Sequence, residues 1–294
     1  MNLDGYDPQT DKAPADELAD RWIRSRLAHT VGLVDEAQEA HRYSDATRAL
    51  HDFLWRDYCD WYIELAKPRL LSGTAQERAQ VQHVLVTVLE QALRLMHPIM
   101  PFVTEELWQQ LPKTNAAASL MIAPWPQGEA AAVDDEAEGQ MGFLQGVISA
   151  ARTIRSELNV PQGKRVALVL SAASEAIADQ LTAQSAYVEA MVGTQSQQVG
   201  IGLTQPPSSG SAVVGDVEVY IPLEGLIDVD AEGRRLRKEI EKLQGLVRGL
   251  DAKLSNEGFL AKAPAAVVEK ERQRQVEYSA SLDKLSASLE MLGP

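Results

Sequence analysis

The sequence predicts a mainly α chain: an antiparallel helical bundle, then a small α/β module, then a C-terminal antiparallel coiled-coil hairpin. Three observations predict it. Aromatic residues are only 5% of the 294 residues, so most apolar mass is Ala, Leu and Val, which favours helix. Apolar residues recur at three- and four-residue steps over long stretches, the signature of amphipathic helices. From Asp230 onward, Leu236, Ile240, Leu243, Val247, Leu250 and Leu254 are spaced 4, 3, 4, 3, 4, which is a heptad seam.

The elements follow in order. Residues 1–15 are polar and without periodicity, a connector. Asp16–Ala40 is a helix through Leu18, Trp22, Ile23, Leu27, Val31 and Val34. Tyr43–Leu70 is one long helix loaded with rings: Phe53, Trp55, Tyr58, Trp61 and Tyr62. Its two apolar faces, Leu54/Tyr58/Trp61/Leu65 and Trp55/Cys59/Tyr62/Ala66, require neighbours on most sides, so it is expected at the bundle centre. Pro68 is expected to end it. Thr74 and Glu77 form a capping box that opens a third helix through Val81, Val84, Leu85, Val88, Leu89, Ala92, Leu93 and Met96, ended at His97-Pro98. Pro101 begins a fourth helix with Phe102, Leu107, Trp108 and Leu111, closed by Pro112. Four such helices with short connections make a bundle. In LMIAPWP (120–126), prolines on both sides of Trp125 fix an extended segment whose ring is expected to dock on the bundle. The acidic run of Glu129, Asp134, Asp135, Glu136 and Glu138 reads as a solvated helix start.

A fifth helix spans Glu136–Leu158 through Met141, Leu144, Val147, Ile148, Ala151 and Ile154. NVPQGK (159–164) turns the chain. VALVL (166–170) reads as a strand buried on both faces. Residues 174–192 read as one or two short helices, Gln198–Leu203 as a second strand, QPPSSGS (205–211) as a flexible loop, and Val213–Ile221 as an interrupted third strand. The heptad seam breaks at SNEGF (255–259) and resumes through Val268, Glu271, Gln275, Tyr278, Leu282, Leu285, Leu289 and Leu292, so the simplest fold is a hairpin. The expected division is 1–135, 136–228 and 229–294.

The hydrophobic content of 45% supports real cores. No apolar run reaches the ~18 residues that cross a bilayer, and MNLDGYDPQTDKAP has no apolar leader. Cys59 is the single cysteine, which excludes an internal disulfide and a cysteine-based metal site; inside the ring-rich helix it is expected to be a buried, inert thiol. A cytoplasmic chain with neither membrane nor DNA as partner is the expectation. The net charge of −14 is uneven: from Asp230 to the end, 12 Lys+Arg face 11 Asp+Glu, whereas the first 229 residues hold 16 against 31. So acidic a body argues against non-specific nucleic-acid binding, which needs broad phosphate neutralisation. Any such contact must be local.

Little catalytic chemistry shows. His29, His41, His51, His83 and His97 stand in no recognisable nucleophile arrangement, and PQGK lacks the spacing of a phosphate loop. No metal-ligand cluster is evident. Asp57 and Asp60, three apart beside Arg56 and Lys67, read as surface ion pairs rather than an acid/base pair. On residues alone the chain is a binding scaffold.

Three stretches carry a family resemblance: DFLWRDYCDWYIELAKPR (52–69), MHPIMPFVTEELW (96–108) and LMIAPWP (120–126). They resemble the anticodon-binding bundle of class I aminoacyl-tRNA synthetases. Together with KLSNEGFLAKAPAAVVEKER (253–272), they are similar to the valyl-tRNA synthetase family in particular, over essentially the whole chain. The family's catalytic domain, with its nucleotide motifs, and its editing domain have no counterpart here. The resemblance therefore implies a C-terminal fragment or split product, with Met1 an internal methionine of the family pattern.

The resemblance also implies the partners. A complete enzyme would use ATP and Mg²⁺ to attach valine to its tRNA; this chain alone would bind neither cofactor and be inactive, its catalytic half lying upstream or in a separate chain. Its partner would be valine-specific tRNA, held at two places. At the anticodon loop, Phe53 is the ring expected to stack on a base, with Arg48 and Arg56 serving phosphates or base edges. Core packing is the alternative for Phe53. Along the tRNA body, Arg248, Lys253 and Lys262 of the arm are the expected backbone contacts, against the alternative of solvated coiled-coil charges. Two other readings stay open: a free-standing or split tRNA-binding subunit acting in trans, and a helical adaptor without tRNA affinity.

Overall fold

The structure, a computed structural model, describes residues 3–8, 17–112, 117–127, 132–161, 163–226, 229–256, 258 and 264–291. It divides into two compact units, Met1–Gln145 and Gly146–Pro294, whose boundary falls inside one helix.

The first unit is the helical bundle. Helix α1 (Leu18–Glu39) buries Leu18, Trp22, Ile23, Leu27, Val31 and Val34, the stripe read from the sequence. Helix α2 (Tyr43–His51) runs without a break into a π-helical segment (Asp52–Tyr62) and then α3 (Ile63–Ser72). The bonding in a π segment is i→i+5, so its turn is wider than an α turn. That spacing brings Phe53, Asp57, Tyr58 and Tyr62 to the buried side. The expected all-round apolar helix is therefore corrected. Trp55 is 54% exposed, and Cys59 is an exposed thiol, not a buried one. Partial desolvation still raises the Cys59 pKa, with Asp60 adding to it, which keeps it largely protonated at neutral pH.

Pro68 does not end the helix; α3 continues to Ser72. The ring removes one hydrogen bond, but the residue after it is anchored. Arg69 donates through Nη1 to Asp20 Oδ2 at 2.7 Å and through Nη2 to Oδ1 at 2.6 Å. The Tyr62 hydroxyl donates to the same Oδ1 at 2.6 Å. Asp20 is fully buried, so α1 is tied to the segment on either side of Pro68, and this tertiary anchoring holds the last turn.

Helix α4 (Ala75–Met96) opens with the Thr74–Glu77 capping box. Helix α5 (Pro101–Gln110) starts on Pro101 and stops before Pro112. Trp108 is buried beside Leu93 and Leu120, its Nε1 donating to Glu90 at 2.9 Å. Phe102, in contrast, is 90% exposed. Trp125 docks as expected, donating to Asp35 of α1 at 2.7 Å.

Helix α6 (Asp135–Glu157) carries the unit boundary. Its start is the solvated acidic end expected only in part: Asp135 and Glu136 are exposed, Glu129 lies outside the described residues, and the other two carboxylates are engaged. Asp134 pairs with Arg21 at 2.8 Å, and Glu138 with Arg26 at 3.2 Å and His29 at 3.3 Å. Asp57 is likewise no surface residue: it is 8% exposed and paired with Arg26 at 2.9 Å. Burial pushes its carboxyl pKa up although Arg26 opposes the shift.

The second unit holds the later turns of α6, a four-stranded sheet and a helical hairpin. Strand β1 (Val166–Ala172) is buried almost throughout. Helices α7 (Glu175–Ala183) and α8 (Ser185–Val188) and a second π segment (Glu189–Gly193) lead to β2 (Thr194–Ile201). Two strands, β3 (Ser209–Val214) and β4 (Val217–Pro222), replace the single interrupted strand expected, and β3 begins inside the presumed loop 205–211. Val214 pairs with Val217, so Gly215-Asp216 is a two-residue hairpin turn, and Gly215 has the positive φ of +53° that such a turn needs. The order is β2-β1-β4-β3, with only β1–β2 parallel. Gly210 lets β3 approach α6: a Cβ there would lie 2.3 Å from Ile154 Cγ2.

Helices α9 (Val229–Leu254) and α10 (Ala265–Met291) pack against each other as the hairpin. Leu236 is buried and Ile240, Leu243, Val247, Leu250 and Leu254 are partly buried, as the heptad spacing requires. The seam's polar residues are matched across it: Lys253 with Glu271 at 3.1 Å, and Gln275 with Asp251.

Candidate nucleic-acid interface

Phe53, the ring expected to stack on a base, is 2% exposed. The wide π turn rotates it into the core, so it has no face to offer, and the stacking role cannot be its own in this structure. The same rotation turns Trp55 outward. His51 lies one turn earlier, at i, i+4, and the two rings stack with centroids 5.3 Å apart and planes 5° from parallel. Thr47, Leu50, Met96, Ile99 and Met100 complete a small apolar hollow of about 150 Å³ beside them. The exposed apolar side chains continue onto α5 as Phe102, Val103 and Leu107. Exposed apolar side chains of this kind are candidates for a contact surface.

Basic residues flank the rings. Arg48, three residues before His51 on α2, and Arg56, next to Trp55, are both exposed. Among the described residues neither pairs with a carboxylate, whereas Arg21, Arg26, Arg42, Arg69 and Arg94 all do. Arg24 and Arg78 likewise show no carboxylate pair among the described residues, but Arg48 and Arg56 are the ones beside the exposed aromatic pair. His51 Nδ1 also lies 3.4 Å from Asp52 Oδ1, and the other histidines have their own neighbours: His83 with the Tyr6 hydroxyl at 3.0 Å, His97 with Thr104 at 2.8 Å, His29 with Glu138, and His41 edge-on to Tyr43.

On the arm, Arg248 is exposed and unpaired among the described residues. Lys253 is exposed too, but its ammonium is engaged by Glu271 across the hairpin, so part of its role is structural. Lys262 lies outside the described residues. Sequence reasoning missed Trp55 and His51 as a pair. Their i, i+4 spacing was visible, but which rings face outward depended on the π turn. Among the described residues no group of three His, Cys, Asp or Glu side chains could hold a metal ion, and no helix is long and apolar enough to cross a membrane.

Comparison with known proteins gives two family matches. Residues 20–170 match the anticodon-binding domain of tRNA ligase, and residues 228–293 match the valyl tRNA synthetase tRNA binding arm. Similar curated relatives include the valine–tRNA ligases of Syntrophotalea carbinolica, 41% identical over 99% of this chain and 33% of the relative, and of Geobacter sulfurreducens, 40% identical over 99% and 33%. That of Bacillus subtilis is 39% identical over 96% of this chain and 32% of its own length. The chain spans about a third of the length of the curated relatives it matches.

Proposed function

Because the chain belongs to the family of anticodon-binding domains of tRNA ligases, we propose that it is the tRNA-recognition part of a valine–tRNA ligase. The bundle takes the anticodon loop and the hairpin lies along the tRNA body. Aminoacylation and editing, with the ATP and Mg²⁺ they need, belong to a catalytic half in the same or another chain; this portion alone is inactive. The single observation that carries the reading is the exposed Trp55–His51 stack, set among exposed apolar side chains and two exposed arginines that form no salt bridge among the described residues. A splayed base can stack on Trp55 whatever its identity, while Arg48 and Arg56 reach phosphates or base edges. On the arm, the exposed Arg248 is assigned to the tRNA backbone.

The test is binding of a valine tRNA transcript to Trp55→Ala. Removing one stacking ring costs about 1–3 kcal/mol, so affinity falls roughly five- to 150-fold. Phe53→Leu, a core change, leaves affinity close to that of the unaltered chain once folding is verified. Equal binding by Trp55→Ala and the unaltered chain contradicts the assignment.

A further inference from the structure

The second unit contains a cleft of about 730 Å³ where the end of α6 meets the π segment 189–193. In a chain of net charge −14, no carboxylate is among the described residues that line it. Arg152 and Arg155, three residues apart on α6, do line it. Arg152 Nε donates to the Met191 carbonyl at 2.9 Å, and Arg152 has no carboxylate partner among the described residues. Arg155 donates through Nη1 to the Val192 carbonyl and through Nη2 to the Lys164 carbonyl at 3.0 Å. The carbonyl bond orients the Arg152 guanidinium without cancelling its unit charge. Gly193 makes room for this: its φ is +74°, and a Cβ there would sit 3.1 Å from Arg155 Nη1. Ser156 and Asn159 line the same cleft. Arg165, outside the lining, shows the contrast, since Glu189 pairs with it at 2.9 Å.

We propose that this cleft is a phosphodiester site that grips the backbone of the bound RNA, separately from the anticodon-loop and arm contacts. The proposal rests on the tRNA-binding reading above. An oriented guanidinium fork facing a cleft without carboxylates suits a phosphate. The cleft is too large for one small anion and fits successive phosphates of a strand.

The test uses the full chain in two arms. In the first, a valine tRNA transcript is titrated across a salt series against the unaltered chain and Arg152→Glu, with Arg152→Gln as the milder variant. Expected is a roughly tenfold loss of affinity for Arg152→Glu, a salt slope lower by about one phosphate contact, and unchanged preference for the native anticodon. An unchanged affinity and slope in both variants overturns the proposal while leaving the tRNA reading intact. In the second arm, octauridylate and inorganic phosphate are titrated separately into the unaltered chain, observing arginine Nε–H signals by NMR. A shift of Arg152 with octauridylate, and none of Arg165, supports the site even if the tRNA transcript does not bind, in which case the anticodon reading alone fails. A shift with inorganic phosphate only, or none with either, overturns it.

Discussion

Replacing Asp20 by Ala removes the acceptor of three hydrogen bonds of 2.6–2.7 Å, two from Arg69 and one from Tyr62. Asp20 has no exposed surface, and the Arg69 side chain only 11%. The variant therefore leaves a guanidinium with little access to water and without the carboxylate that takes two of its hydrogen bonds, a change that costs about 3–5 kcal/mol. Tyr62→Phe removes one bond to a charged acceptor and costs about 1.5–3 kcal/mol. The three groups act as one node, so Asp20→Ala and Arg69→Ala should not add: the double variant is expected to recover about 1–3 kcal/mol of the summed single costs. Urea unfolding followed by tryptophan fluorescence is the assay. All five tryptophans, Trp22, Trp55, Trp61, Trp108 and Trp125, lie in the first unit, so the signal reports on the bundle alone. A cost below about 1 kcal/mol for Asp20→Ala, or strict additivity, would refute the claim that this node carries α3 past Pro68.

Three further outcomes are expected. Gly210→Ala drives a Cβ against Ile154 and Leu158 and should destabilise the second unit by about 1–3 kcal/mol, read as a lower far-ultraviolet melting temperature; an unchanged melt contradicts the close packing. Glu271→Leu places an apolar residue on the seam and returns Lys253 and Arg274, which are partly exposed, to solvent; the hairpin should gain on the order of 1 kcal/mol, and a loss would show the ion pairs to be net stabilising. Hydrogen bonds from Arg21, then from the Ala137 backbone N–H, hold the Asp134 carboxyl below its ordinary pKa. The folded state thus binds that proton less well than the unfolded chain, so this stabilisation is present above about pH 4 and lost as pH falls through the depressed value. Arg21→Gln should flatten the acid side of the stability profile below about pH 4, measured by urea midpoints; a steeper acid side would contradict the assignment.

The fold was legible where one period dominated. The heptad spacing from Leu236 to Leu254, the Thr74–Glu77 box and the α1 stripe each repeat a local rule often enough to fix an element. The failures have physical causes. A proline stops a helix by local rules, but Arg69 is held by a buried carboxylate some fifty residues earlier, and nothing near Pro68 announces it. The β3–β4 hairpin was readable in principle from Gly215-Asp216 between two valine-rich runs, and was obscured by the Gly- and Ser-rich approach to β3. The site was half legible. Arg48 and Arg56 stand exposed as their charge suggested, while Phe53 is buried and Trp55 exposed, a difference hidden in the sequence because a π turn cannot be told from an α turn by composition. Ion pairing was hidden too: the acidic run at Asp134–Glu138 looks solvated until α1 supplies its arginines.

The most direct test of the central claim is binding of this chain to a valine tRNA transcript and to the same transcript with its anticodon replaced, across a salt series. Preference for the native anticodon, with affinity falling as salt rises, is the predicted result. Equal affinity for both transcripts, or no binding to either at low salt, would contradict it.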